Sequence, residues 1–337
     1  MILLFDVGNT SVYVGVVEND EIISTFRMNT DTTKTPDEYF LTIKEFIDPS
    51  KVKGVIIGSV VPPITITLVR ISEKYFNVPP ILVQPGTKTG ISVKADNPRE
   101  VGADLIADAA GLSNNDPTLI IDLGTANKFI YVKNKTIYGV IITPGIQLQI
   151  RSLAGNTALL HEVEIKLPPK YLGNNTIHCI QSGIIYGTVV LIEGMVQRIK
   201  EEVNEEFSII LTGGLSKLIE KEVRLPLIRD SRIVLKGLLE IYKKNIWGVY
   251  GYSTTLFKLV KWTNLIKRRK RYFKKFIIKW NWRSLLSRLI IWNWWNSWCI
   301  RSWYKSNEYL YYSKSDFWIW TIFIKTQPFR RGCDCLR

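Results

Sequence analysis

The chain has 337 residues, 45 Lys+Arg against 30 Asp+Glu, 46% hydrophobic content, four Cys and eleven Trp, which is enough for two or so domains with full cores and too apolar for a disordered chain. Four cysteines, no charged-then-apolar leader at Met1 and no run of eighteen apolar residues argue against a disulfide-framed secreted protein and a membrane span, and so predict a soluble cytoplasmic one. The averages conceal two compositions. Residues 1–246 contain no Trp and carry 26 basic against 27 acidic residues, whereas 247–337 hold all eleven Trp, no Ala, three of the 22 Gly, and 19 basic against 3 acidic residues. The net charge of +15 belongs to that tail and does not argue for a nucleic-acid partner of the whole protein.

In chain order, Ile2-Leu3-Leu4-Phe5 reads as a short buried strand that breaks at Asp6-Val7-Gly8-Asn9-Thr10. Ser11 to Val17 alternates around Val12, Val14 and Val16, Glu18-Asn19-Asp20 turns, and Glu21 to Met28 makes a third strand. Thr35-Pro36-Asp37-Glu38 is a capping signal for a helix with Phe40, Leu41, Ile43 and Phe46. Val52 to Val60 predicts a further strand, Ile64 to Phe76 a helix, and Pro98 to Gly111 another.

The opening pattern returns 116 residues on. Thr118 to Ile121 is apolar, Asp122-Leu123-Gly124-Thr125 breaks it, Lys128 to Val132 and Thr136 to Ile142 read as strands, and Lys133-Asn134-Lys135 as the turn between them. Two meanders, each with Asp-x-Gly and a Thr at the first turn, predict an N-terminal lobe over 1–116 and a C-terminal lobe over 117–246 with a cleft between. Thr176 to Val203 reads as a long amphipathic helix, Ile209-Ile210-Leu211 as a strand ending at Thr212-Gly213-Gly214, and Leu235 to Lys244 as the last helix.

A strand ending in Asp-x-Gly-x-Thr suits phosphate chemistry. The carboxylate can hold Mg²⁺, Gly admits close backbone approach, and backbone N–H groups and the Thr hydroxyl can donate to phosphate oxygens. One such turn could be ordinary turn chemistry; two in the same context, with Thr212-Gly213-Gly214 at a third strand end, point to phosphate handling.

The ordered blocks Asp6 to Thr10, Asn97 to Asp104, Ile121 to Ala126, Thr143-Pro144-Gly145-Ile146, Gln181-Ser182-Gly183, Thr212-Gly213-Gly214 and Gly237 to Tyr242 resemble those of type III pantothenate kinases over about 1–246. That resemblance implies an α/β, duplicated ribonuclease-H-like fold of the acetate kinase, sugar kinase, Hsp70 and actin superfamily, a homodimer, and phosphorylation of pantothenate by ATP with Mg²⁺ and a monovalent cation, K⁺ or NH₄⁺. Carried over by motif, Asp6, Val7, Gly8, Asn9, Thr10, Thr125, Thr212, Gly213 and Gly214 would bind ATP, with Asp6 on Mg²⁺. Gly102, Ala103, Asp104, Leu105 and Thr157 would meet pantothenate, with Asp104 as general base. Asp122 would ligate the monovalent cation. Another kinase or phosphatase of the superfamily, or an inactive paralogue, is the alternative.

The chain departs from the family pattern at several positions. Leu105 stands where an Arg is usual and removes a bidentate anion donor. Ala95 replaces a Tyr, Val140 a Gly, and Asn127 and Lys128 two Thr; a cation at 128 could supply charge beside phosphate or displace the monovalent ion. His161 and His178 lack a metal-ligand pattern, Cys179 reads as a core thiol, and Cys333-x-Cys335 has no matching pair.

The tail resembles out-of-frame translation. Trp is always TGG, so Trp292-Asn293-Trp294-Trp295-Asn296 read one base later becomes Gly, Ile or Thr, Gly, Gly, Ile or Thr, which is ordinary glycine-rich protein. A frameshift near codons 245–255 is the expectation. A basic membrane- or nucleic-acid-binding segment around Lys267-Arg268-Arg269-Lys270-Arg271 is the competing reading.

Overall fold

The computed structural model describes residues 1–246 and the backbone of a hairpin, Arg301–Lys305 with Glu308–Tyr312. These fall in two compact units, with 1–246 in the first and the hairpin in the second. The basic run at 267–271 and Cys333 and Cys335 lie outside the described residues.

The first sheet contains β1 (Ile2–Val7), β2 (Ser11–Glu18), β3 (Glu21–Asn29), β4 (Gly54–Ser59) and β5 (Ile81–Leu82), in the order β3-β2-β1-β4-β5. β1, β2 and β3 form an antiparallel meander, while β4 and β5 add in parallel. The second holds β6 (Ser92–Val93), β7 (Thr118–Leu123), β8 (Ala126–Lys133), β9 (Thr136–Pro144), β10 (Ser208–Thr212) and β11 (Ile228–Arg229), in the order β11-β10-β7-β8-β9-β6. Without β6 the two orders are the same, with the same parallel and antiparallel pairs. Even the irregularities repeat. Each meander slips register once, at Val16/Val17 and at Tyr131/Val132, and each following turn has two left-handed residues, Asn19 and Asp20, then Asn134 and Lys135. The fold is a duplicated, ribonuclease-H-like α/β architecture.

The helices are α1 (Pro36–Lys44), α2 (Pro62–Ile71), α3 (Ala103–Ala110), α4 (Ile146–Asn156), α5 (Thr176–Val203), the single turn α6 (Ser216–Ile219) and α7, over 233–246. The capping box at Thr35 forms as its sequence demands: Glu38 N–H donates to the Thr35 hydroxyl and Thr35 N–H to the Glu38 carboxylate. Such a box contributes about 1 kcal/mol.

Two continuous segments of the sequence reading are broken in the fold. Pro98 to Gly111 is a short turn, Pro98–Glu100, followed by α3, because Val101 and the Gly102 cap are extended. Ile64 to Phe76 is α2 and then a wider turn, Ser72–Phe76, which ends on left-handed Asn77. α4 and the two-residue strands β5, β6 and β11 were not anticipated.

Strand alternation decides which face each side chain takes. Leu3, Phe5 and Val7 pack with Tyr39, Ile43, Ile64 and Leu68 of α1 and α2, and Leu4 on the opposite face packs with Ala103 and Ala107 of α3 and Leu235 and Leu238 of α7. In the second sheet Leu119, Ile121 and Leu123 face α5, while Ile120 and Ile130 meet Leu105 and Ala109 of α3 and Ile233 of α7. α3 and α7 are therefore held between the sheets. By parity Asp6 follows Leu4, Asp122 follows Ile120, and Lys128 precedes Ile130, so all three face α3. An 18-residue window of α5 reaches a mean hydropathy of 1.5, and its apolar stripe from Ile180 to Ile199 is spent on the second core.

Candidate active site

The site is assembled at the ends of β1 and β7 and the start of α3. Asp104 sits in the first turn of α3, where the helix dipole favours a carboxylate, and its Oδ1 accepts from Leu105 N–H at 2.9 Å. Its Oδ2 lies 2.7 Å from Lys128 Nζ, and the same ammonium is 2.7 Å from Asp122 Oδ2. Asp122 and Lys128 are cross-strand partners on β7 and β8, so the hairpin register places that half of the arrangement; Asp104 arrives from another element.

Two more acids surround this group. Burial, then the charges of Asp104 and Asp122, push the Asp6 carboxyl up to about 7. Asp108, one helical turn beyond Asp104 and 2% exposed, is held well above the ordinary carboxyl range by burial and then by Asp122. Burial pulls the Lys128 ammonium down, but Asp122 and Asp104 outweigh it and leave it above the usual lysine range. Lys128 contacts Asp104 and Asp122, Arg27 adds a weaker favourable charge at Asp6, and the crowding of acids makes Asp6 a poor place for an unaccompanied anion and a good one for a metal.

The two strand-end turns meet across the cleft, where the Thr10 and Thr125 hydroxyls lie 2.8 Å apart. The first turn is pinned by Thr30, whose hydroxyl donates to Gly8 O at 2.6 Å and whose N–H donates to Thr10 O. Gly8 N–H is spent inside the turn on Ser11 O, so it is not available to a phosphate as the sequence suggested. Val7 is 1% exposed in the core and can offer only backbone. The third strand end joins them: Thr212 pairs in register with Asp122, and Gly213 has φ +91°, where a Cβ would fall 2.6 Å from Asp122 Oδ1. Gly214 beside it faces open space.

Other expected site residues are not brought to this group. Leu105 is 7% exposed and packed with Ala109, Ile120 and Ile130, which corrects its expected place in the substrate site: on α3 it follows Asp104 around the helix by a quarter turn, into the second sheet. Thr157 ends α4, an eleven-residue helix that begins at the second turn, so it stands about 16 Å along from it, and its hydroxyl donates to Leu153 O. Asn127 is buried and donates to Pro144 O, a structural use of a departure from the expected pattern. Cys179 is exposed, not a core thiol as expected.

Beside Gly102 and Ala103 a cavity of about 490 Å³ is lined by Val60, Gln84, Pro98, Arg99 and Ile106 among others. It lies next to Asp104 in the chain and holds one cationic side chain, Arg99.

A family model described as type III pantothenate kinase matches residues 2–198. The chain is also 68% identical over 246 residues to a type III pantothenate kinase of Acholeplasma laidlawii, an alignment that spans 73% of this chain and all of that protein. The chain belongs to the type III pantothenate kinase family. Among solved structures, a Campylobacter jejuni protein described as a conserved Baf-family transcriptional activator matches this pantothenate kinase family member with a TM-score of 0.48 and 19% identity, over 72% of this chain and 98% of that one. An inorganic polyphosphate/ATP-glucomannokinase from an Arthrobacter strain matches with a TM-score of 0.39 and 15% identity, over 72% and 97%.

For this family member, the sequence marked Lys128 as a cation that could displace a monovalent ion but did not show its contact with Asp104, and Asp108 was not singled out. The signals were there: Lys128 sits opposite Asp122 in the hairpin register, and Asp108 lies four residues from Asp104 on one helix face.

Proposed function

We propose that this chain phosphorylates pantothenate with ATP, the first step of coenzyme A synthesis. The observation that carries the reading is the convergence of Asp6, Asp104 and Asp122 on one side of α3, beside two turns whose Thr10 and Thr125 hydroxyls touch. The turns and Gly214 receive the phosphates. Asp104 orients the pantothenate hydroxyl and accepts its proton late, because phosphoryl transfer is loose and rests on positioning and charge neutralisation. The acceptor lies in the cavity beside Gly102 and Ala103, with its carboxylate toward Arg99, the role Leu105 cannot fill.

Among the described residues no group of three His, Cys, Asp or Glu could hold a metal by itself, but Mg²⁺ is commonly held by one or two carboxylates plus substrate phosphates, and Asp6 fits that use. When bound, the ion would neutralise charge developing on the phosphates. The monovalent ion expected at Asp122 does not fit, because Lys128 Nζ lies against that carboxylate.

We place the protein in the cytoplasm, where ATP is supplied, and read it as a homodimer; exposed Leu148 and Leu153 on α4 and Leu159 and Leu172 between α4 and α5 are apolar residues that a contact between copies would cover. The test is ADP release from the full chain with pantothenate and with a panel of sugars, the product being weighed by mass spectrometry and the enzyme by light scattering. Phosphopantothenate from a particle of twice the chain mass is expected. Turnover of a sugar instead, or of nothing, overturns the substrate, and a monomer overturns the dimer.

We read 247–337 as out-of-frame sequence appended to the two lobes, 1–116 and 117–246. The support is the compositional break and a relative whose whole length is matched within 246 residues of this chain. Re-sequencing the gene is expected to show a base gained or lost near codons 245–255; an uninterrupted frame with protein-like codon usage through codon 337 sinks the idea.

A further inference from the structure

Two carboxylates that share a cleft with a polyphosphate need a fixed countercharge, from a dissolved ion or from the protein. Here Lys128 Nζ lies 2.7 Å from Asp104 Oδ2 and 2.7 Å from Asp122 Oδ2, with its side chain 17% exposed and those of the two acids 20% and 13%. Its position is fixed from three directions. The β7–β8 register sets it opposite Asp122, Gly213 closes against the other oxygen of Asp122, and Asp104 is held by its own hydrogen bond from Leu105 N–H. An ion of K⁺ size coordinating either of those Oδ2 atoms would have to displace an ammonium already in hydrogen-bond contact with it.

We propose that Lys128 is a tethered cation that takes the monovalent-ion position between Asp104 and Asp122 and positions Asp104, so that catalysis needs no added K⁺ or NH₄⁺. The proposal rests on the kinase reading above. Lys128 is a positioning residue: it touches the base and not the reacting atoms. The ammonium cannot diffuse away and its charge does not vary with the salt around the protein, so the site stays assembled at any K⁺ concentration.

The experiment compares the full chain and Lys128→Thr in choline chloride and in KCl, reading turnover, melting temperature and ²⁰⁵Tl⁺ binding by NMR. For the unaltered chain, rate and melting temperature should differ by less than about twofold and about 1 °C between the salts, with no saturable Tl⁺ site. In Lys128→Thr, turnover should fall at least about tenfold in choline and recover in KCl or NH₄Cl, with a rise in melting temperature and a new Tl⁺ site. Lys128→Gln, which fills the space without the charge, should lose turnover and not be rescued. Activation of the unaltered chain by K⁺ of about tenfold or more, a Tl⁺ site in it, or a Lys128→Thr enzyme as active in choline as the parent each overturns the proposal. If pantothenate is not phosphorylated in any salt, the kinase reading fails by itself, and Tl⁺ binding with the melting temperatures decides the cation claim.

Discussion

Asp104→Asn is expected to lower turnover by about two to four orders of magnitude while leaving ATP affinity within about twofold, the range typical of losing a positioned base. The amide keeps the shape of the side chain and its place at the start of α3, and Lys128 retains Asp122. What disappears is the carboxylate proposed to accept the hydroxyl proton. The turns at Gly8–Thr10 and Gly124–Thr125, proposed above to receive the phosphates, are untouched, so binding of an ATP analogue measured by calorimetry should survive. Turnover within threefold of the parent would remove Asp104 from the role of base. A matched fall in ATP affinity would mean instead that the carboxylate serves the nucleotide.

The largest expected effect on stability is at Gly237. α3 and α7 cross so closely between the sheets that a Cβ at Gly237 would lie inside the van der Waals envelope of Ala107 O and 2.8 Å from Gly111 N. Those neighbours are backbone and cannot swing aside. Gly237→Ala must therefore separate the helices that Ala107, Leu238 and Ile241 hold together. Overpacking of this kind costs about 3 kcal/mol, equivalent to a fall in melting temperature of about 6–12 °C for a domain of this size. Because α3 carries Asp104, turnover should fall as well. Gly139→Ala, where a Cβ meets nothing within 4 Å, is the control and should leave both unchanged. Equal melting temperatures for Gly237→Ala and the parent would show that the two helices can part without cost.

The Lys128 bridge between Asp104 and Asp122 also sets one departure from the family pattern apart from the others. Lys128 replaces a neutral residue in the very place where Asp104 and Asp122 would otherwise face each other without a countercharge. Removing one partner from so enclosed a pair typically costs about 3–5 kcal/mol. A Thr at 128 is thus a change to the electrostatics of the whole site, whereas Asn127 and Leu105 are absorbed locally, one by Pro144 O and the other by the apolar layer on the second sheet.

Much of this protein is written locally. Alternation and turn residues determine the two meanders, since Asn19-Asp20 and Asn134-Lys135 can adopt the left-handed turn and Val12, Val14 and Val16 need burial on one shared face. The Thr35 box marks the first helix because its hydrogen bonds lie within four residues. The repeated Asp-x-Gly turn announces phosphate chemistry for the same reason: the groups that would bind are neighbours in the chain. What lies beyond local reach is decided by packing. Whether residues 104 and 105 face the cleft or the core depends on how α3 is rotated between two sheets, which its packing partners on each side decide. Lys128 could be paired with Asp122 from the hairpin register, but its second carboxylate, Asp104, comes from a helix that only the folded arrangement brings there. Hydrogen bonds between near neighbours are legible in sequence; a countercharge shared by distant elements exists only once the two sheets close on the helices between them.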